Sequence, residues 1–158
     1  MTSPKPTISA IVPAFEAADV LPRCLQALTA QKAPPESYEV IVVDDGSSEP
    51  IADLVPKSMT LIRHDHNRGA AAARNSGAAA ARGRVLLFID ADLIAHEQLI
   101  TVTSELFRDE GRVAATGCYD ASPANESPFA RYKALWTWHC WQRSAGSSRE
   151  STHLQGAM

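Results

Sequence analysis

Apolar residues along the chain keep two rhythms. Continuous runs at Ile8 to Val12, Val40 to Val43 and Val85 to Ile89, bounded by polar or turn-forming residues, predict short strands covered on both faces, as in a parallel sheet. Further strands are predicted at Thr60 to Arg63 and Val113 to Cys118. Elsewhere the spacing is helical. Leu21, Leu25 and Leu28, with Val20 and Cys24 beside them, follow Asp19, a predicted cap, with Pro22 tolerated in the first turn. Ala70 to Ala81 has high helix propensity in spite of Gly77, and its small side chains predict close approach to a sheet. His96 to Glu110 repeats Leu99, Ile100, Val102, Thr103, Leu106 and Phe107 at helical spacing, and Gly111 is placed to end it. Alternation of this kind predicts one α/β domain with a mostly parallel sheet flanked by helices.

The strands end on acids. Val85-Leu86-Leu87-Phe88-Ile89 stops on Asp90-Ala91-Asp92, and Val40-Ile41-Val42-Val43 stops on Asp44-Asp45-Gly46-Ser47. Open α/β sheets bind ligands at their carboxyl edge, so both clusters are predicted to share one site. If the strand stays extended through Asp92, Asp90 and Asp92 point to the same side and offer two hard oxygen donors to one divalent cation, predicting a metal and phosphate site. The plainer alternative is that Asp92 caps the next helix and Asp90 merely ends a strand. Five arginines, at 63, 68, 74, 82 and 84, fall around the alanine-rich segment, and any on the ligand side could neutralise a diphosphate. Arg74 stands out, because the alanines around it imply close packing.

Composition narrows the class. At 158 residues with 45% hydrophobic and 21% charged positions, the chain suits one soluble globular domain. A net charge of −3 argues against a nucleic-acid binder, so a bound phosphate should belong to a small ligand. Cys24, Cys118 and Cys140 are odd in number and scattered, which favours a reduced, cytoplasmic setting over a disulfide framework. The amino terminus has no signal-length apolar stretch. The longest uncharged aromatic stretch, 134–142, is too short to span a bilayer. A helix at 129–143 is apolar on several sides and calls for cover from its own core, the rest of a longer protein, a second subunit or a cytoplasmic membrane face.

In order along residues 7–119, the motifs Pro13-Ala14-Phe15-Glu16, Val42-Val43-Asp44-Asp45-Gly46-Ser47, Asn67-Arg68-Gly69, Ala73-Arg74-Asn75-Ser76-Gly77 and Phe88-Ile89-Asp90-Ala91-Asp92 resemble the family 2 glycosyltransferases. That resemblance implies the Rossmann-like GT-A fold, with residues 1–119 as a nucleotide-sugar core and 120–158 as a loop, aromatic helix and start of an acceptor-side region of the same domain. It implies that Pro13, Ala14, Phe15, Glu16, Asp44 and Asp45 line the nucleoside pocket. Arg74 would contact the base or diphosphate, and Asp90 and Asp92 would hold ribose and a Mg²⁺ or Mn²⁺ ion. The implied donor is a nucleotide-diphospho-sugar, with a uridine diphosphate sugar as the family-level expectation and an unspecified acceptor hydroxyl. Glu16 departs from the asparagine of many relatives, and an acid cannot donate the amide's hydrogen bonds. The family's acceptor half, with its catalytic base, normally lies beyond the point where this chain stops. Asp120, Glu126 and Glu150 are acids of the later segment, and spacing selects none of them as the base.

Two rivals belong to other classes. A haloacid-dehalogenase-type phosphatase also uses Asp-x-Asp after a strand, with the first acid as nucleophile. Its motif closes the first strand, whereas at least three predicted strands precede Asp90 here. The other rival is a noncatalytic nucleotide-sugar binding module. Dinucleotide and P-loop readings lack their glycine-rich motifs.

Overall fold

The computed structural model describes residues 5–108, 111, 114, 118–119, 127–128, 132, 135, 139 and 155–157. Four parallel strands form the main sheet: β1 (Ile8–Ala14), β2 (Tyr38–Asp44), β3 (Thr60–Arg63) and β4 (Val85–Phe88), in the order β3-β2-β1-β4. The helices α1 (Leu21–Thr29), α2 (Ala70–Ala80) and α3 (Leu99–Leu106) accompany them. A second sheet is built from short strands, β5 (Ile94–Ala95), β6 (Cys118–Tyr119) and β7 (Gln155–Ala157), in the order β5-β7-β6. It is mixed, with β7 antiparallel to β5 and parallel to β6.

Strand periodicity divides the core. Even-numbered Ala10, Val12, Val40 and Val42 pack with Leu21, Cys24, Leu25 and Leu28 of α1, all buried. Odd-numbered Ile41 and Val43 pack with Ala73 of α2. Each of the three buried α1 leucines contributes about 2 kcal/mol by leaving water. With both faces of β1 and β2 covered, Ala10 to Val12 and Val40 to Val43 read as unbroken apolar runs.

β1 continues two residues beyond the predicted stop, through Pro13. Ala14 O accepts from Asp45 N on the β2 side and Ile11 O accepts from Ile89 N on the β4 side, so odd residues of β1 face β4. The ring nitrogen of Pro13 therefore faces β4 past its last paired residue, Phe88 opposite Ile11, and its missing N–H costs no bond within the paired ladder.

Gly77 is a packing requirement. A Cβ there would overlap Ile11 Cγ2 and lie 3.3 Å from Val43 Cγ2, so the glycine lets α2 rest directly on β1 and β2.

Several expectations are corrected. Asp19 does not cap α1: the cap position is Val20 and no side chain bonds there, with Pro22 in the first turn as expected. α3 starts at Leu99 rather than His96, because His96 O and Ile100 N are taken up by Gln31 Nε2 and Oε1, a cap supplied from beyond the end of α1. It ends at Leu106, with Phe107 as its cap residue, before Gly111. Among the described residues β4 pairs only with β1, and Leu86 and Phe88 are exposed rather than buried as the apolar run implied. The strand expected at 113–118 falls mostly outside the described residues; of the two that are described, Ala114 lies outside any strand and Cys118 opens β6. The helix expected at 129–143 falls mostly outside the described residues; Tyr132, Leu135 and His139 are described, helical and exposed. Asp120, Glu126 and Glu150 lie outside the described residues. Among the described residues no helix is long and apolar enough to cross a membrane.

Candidate functional site

Because β1 lies between β2 and β4, the segments that follow these three strands meet at the carboxyl edge of the sheet. A cavity of about 230 Å³ opens there. Its walls are Pro13, Ala14 and Phe15 from β1 and its loop, Asp45 after β2, Asn67 and Gly69 before α2, Ala70, Ala73 and Arg74 of α2, and Asp90 after β4. Phe15 is 48% exposed, which leaves an aromatic face open to a ligand.

Asp45 is the most constrained wall residue. Its carboxylate accepts from Arg68 N at 3.1 Å and Gly69 N at 2.7 Å, and His64 Nδ1 lies 2.6 Å from Oδ1. Burial alone would raise its pKa, but these donors outweigh burial and hold the carboxyl below its usual range. Gly69 also receives support from Asn67, whose Oδ1 accepts its amide at 2.9 Å. Its φ of +90° at the start of α2 suits glycine. The amino end of α2 thus lies at the cavity, where Gly69 and Ala70 form part of the wall and the Asp45 carboxylate already takes up the amides of Arg68 and Gly69.

Arg74 crosses the site. Its Nη2 donates to Asp90 Oδ1 at 2.7 Å, and the two side chains are 37% and 50% exposed. A pair this open to water is worth at most about 1 kcal/mol, so a diphosphate or a cation can replace either partner.

The remaining predicted residues sit elsewhere. Asp44 is fully buried and does not line the cavity; it pairs with Arg63, while Oδ1 accepts from Ser47 N at 3.0 Å and Arg63 Nη2 donates to Ser47 O at 2.8 Å. This network sets the loop after β2. Gly46 in that loop has φ +77°, and a Cβ there would overlap the backbone of His66 and Asn67. Glu16, at φ +49°, latches the same loop: Ser48 N and Oγ donate to its carboxylate at 2.7 and 3.0 Å, and its own N–H donates to Ser47 Oγ at 3.0 Å. It faces a neighbouring hollow of about 160 Å³.

Asp92 is exposed and outside the cavity wall. The chain leaves strand geometry after Phe88 and turns at Asp90–Leu93, with Leu93 N donating to Asp90 O at 3.1 Å, so strand alternation does not set the direction of Asp92. Cys24 Sγ lies 3.8 Å from Asp90 O, and its thiol is pushed up to about 12 by burial, then by the charges of Asp92 and Asp90. Among the described residues no group of three or more His, Cys, Asp or Glu side chains could hold a metal by itself. Two carboxylates completed by substrate phosphates and water are a usual donor set for Mg²⁺ or Mn²⁺, so in donor chemistry alone Asp90 and Asp92 suit such an ion.

Comparisons with known proteins bear on the family and the fold. Residues 9–154 match the model of Glycosyl transferase family 2. The chain belongs to that family. It is 36% identical over 104 residues to glycosyltransferase AglE of Haloferax volcanii, covering 62% of this chain and 34% of that protein. It is 30% identical over 135 residues to validoxylamine A glucosyltransferase of Streptomyces hygroscopicus subsp. limoneus, covering 80% and 30%. The chain thus spans about a third of the length of these relatives. In structure it resembles S. aureus TarS 1-349 in complex with UDP-GlcNAc, with TM-score 0.65, 22% identity and coverage of 76% of this chain and 36% of that one. The mannosyltransferase PcManGT from Pyrobaculum calidifontis, in complex with GDP-Man and Mn²⁺, matches with TM-score 0.62, 23% identity and coverage of 83% and 39%. The fold of this family 2 chain is the expected GT-A fold.

Asn67, Gly69, Ala70 and Ala73 line the cavity without having been assigned a ligand role from sequence. Their signal was a glycine opening an alanine helix two residues after an asparagine, a pattern of backbone and small side chains rather than of reactive groups.

Proposed function

We propose that this family 2 chain binds the donor half of an inverting glycosyltransferase reaction, taking a nucleotide-diphospho-sugar and passing its sugar to an acceptor hydroxyl. One observation carries the reading: Asp45, Arg74, Asp90 and the amino end of α2 converge on one cavity at the carboxyl edge of the sheet. Phe15 and Asp45 would hold the nucleoside, the ring packing on a base and the carboxylate accepting an N–H. Arg74 and the amides opening α2 would take the phosphates, concentrating positive charge where the leaving diphosphate gains negative charge. Asp90 and Asp92 are the residues that would hold Mg²⁺ or Mn²⁺, whose contribution when bound is to neutralise that diphosphate. Inversion requires a general base near the acceptor hydroxyl, and none of the cavity acids is assigned to it. TarS bound to UDP-GlcNAc and PcManGT bound to GDP-Man support a nucleotide-sugar ligand. We take a uridine diphosphate sugar as the donor.

Calorimetric titration with UDP, GDP and ADP, with and without Mn²⁺, tests this. Binding that strengthens with Mn²⁺ and loses that dependence in Asp92→Ala supports the reading. Equal binding in both proteins with and without metal removes the role given to Asp92. No binding of any nucleoside diphosphate removes the donor site. Retention of a nucleotide-sugar by the whole protein without transfer would favour the binding-module alternative, whereas release of phosphate from a simple ester would revive the phosphatase.

A further inference from the structure

Behind the Asp45 carboxylate stands a chain of groups that sequence reasoning did not connect. His64 Nδ1 is 2.6 Å from Asp45 Oδ1, and His64 Nε2 is 2.8 Å from Ser76 Oγ. The chain links the end of β2, the residue after β3 and the middle of α2. The imidazole and carboxylate are 6% and 3% exposed, and His64 is anchored to β2 by its N–H, which donates to Asp44 O at 2.8 Å.

We infer that His64, braced by Ser76, is a positioning residue that keeps Asp45 ionised and aimed into the cavity, and thereby sets how tightly the nucleotide is held. The inference rests on the donor-binding reading above. A carboxylate this buried is tolerable only with strong donors, and a charge-assisted bond from an imidazole supplies one. An ionised carboxylate has no proton to give, so Nδ1 carries the shared proton in either charge state of the ring. Nε2 then accepts from the Ser76 hydroxyl when the ring is neutral and donates to its oxygen when the ring is charged; a hydroxyl serves both without moving the ring. With His64, Arg68 N and Gly69 N in place, three of the roughly four acceptor positions of the carboxylate are filled. About one is left for a ligand, and its direction is fixed by the other three.

The order acid, imidazole, hydroxyl is also that of a hydrolytic relay, but the orientation is reversed. Asp45 lines the cavity and Ser76 does not, so the chain steadies an acceptor rather than arming a nucleophile.

The test combines UDP titration in the presence of Mn²⁺ with ¹H–¹⁵N NMR of the histidine rings. The His64 ring is expected to carry its proton on Nδ1. His64→Leu should weaken UDP binding by about tenfold or more, while His64→Asn, whose amide can donate from the Nδ1 position, should stay within about threefold of the parent. A His64 ring protonated only on Nε2, or His64→Leu binding UDP as tightly as the parent, overturns the inference while leaving the donor site intact. A parent chain that binds no nucleoside diphosphate overturns both readings together. Should His64→Leu fail to fold, Ser76→Ala carries the test: about threefold weaker binding is expected, and unchanged affinity overturns the bracing role.

Discussion

Replacing Gly77 by alanine sets two known effects against each other. In an ordinary helix interior the change stabilises by about 1 kcal/mol, because alanine restricts the unfolded chain and favours the helix. Here the new methyl would overlap Ile11 Cγ2 and crowd Val43 Cγ2 at 3.3 Å. The first contact falls more than about 1 Å inside the ordinary carbon separation of about 3.5–4.0 Å, and overpacking of that kind costs about 1–3 kcal/mol in a well-filled core. Ile11 is fully buried in a central strand, so the relief has to come from α2 moving outward. That motion gives up contacts of Ala73 and carries Arg74 away from Asp90. The expected net effect is destabilisation by roughly 1–2 kcal/mol, which at a urea slope of about 2 kcal/mol/M lowers the midpoint by about 0.5–1 M. Weaker UDP binding should accompany it. Ile11→Leu removes the offending Cγ2 methyl by moving the branch from Cβ to Cγ, so the pair Ile11→Leu/Gly77→Ala should be more stable than the two separate costs would sum to. Urea unfolding of the four proteins in this cycle decides the matter. A Gly77→Ala protein as stable as the parent, or more so, would show that α2 does not rest on β1 at this distance.

Other expectations follow from groups whose environment is explicit. Thr103 Oγ1 is buried without a hydrogen-bond partner among the described residues, so Thr103→Val should raise stability by about 1 kcal/mol in thermal melts, and a loss of that size would mean the hydroxyl is bonded after all. Asp45 and Glu39 both have carboxyl groups held below their ordinary pKa, against the opposing effect of burial: Asp45 by His64 and two amides, Glu39 by Ser9 and Arg82. Their stabilisation is complete above the unfolded value of about 4 and is lost as pH falls through the lower folded values. Asp45→Asn should therefore start less stable at neutral pH and decline less steeply toward pH ~3; acid limbs of equal slope in urea titrations would contradict this. Cys24, with its thiol raised from 9.0 to about 12, should lose stabilising influence as pH climbs through that interval, since the unfolded thiol ionises first. Mass spectrometry after brief exposure to a thiol reagent at neutral pH should find Cys24 unmodified until the chain is unfolded, and ready modification of the native protein would rule out the buried environment.

Much of this protein was written locally. Apolar runs marked the middles of β1 and β2, Ala10 to Val12 and Val40 to Val43, because strands covered on both faces have no solvent side to encode, whereas β3 is exposed or half-buried along its length. Helical spacing of Leu21, Cys24, Leu25 and Leu28 marked α1, because one face of it meets the sheet. Parallel order placed the acids after β2 and β4 at a common edge, and Asp45 and Asp90 do share a cavity with Pro13, Ala14, Phe15 and Arg74. Tertiary structure decided what adjacent letters cannot distinguish. Asp44 and Asp45 read alike, yet alternate strand positions send one to Arg63 inside the fold and the other to the cavity. The cap of α3 comes from Gln31, and Asp45 is braced by His64 and Ser76, partners between 12 and 69 residues apart that no local pattern couples. Residues 155–157 join β5 just past the acid turn by backbone pairing, which leaves almost no side-chain signature. Local sequence sets where a chain is apolar and where it turns; which carboxylate is spent on the scaffold and which is left to bind depends on neighbours brought from far along it.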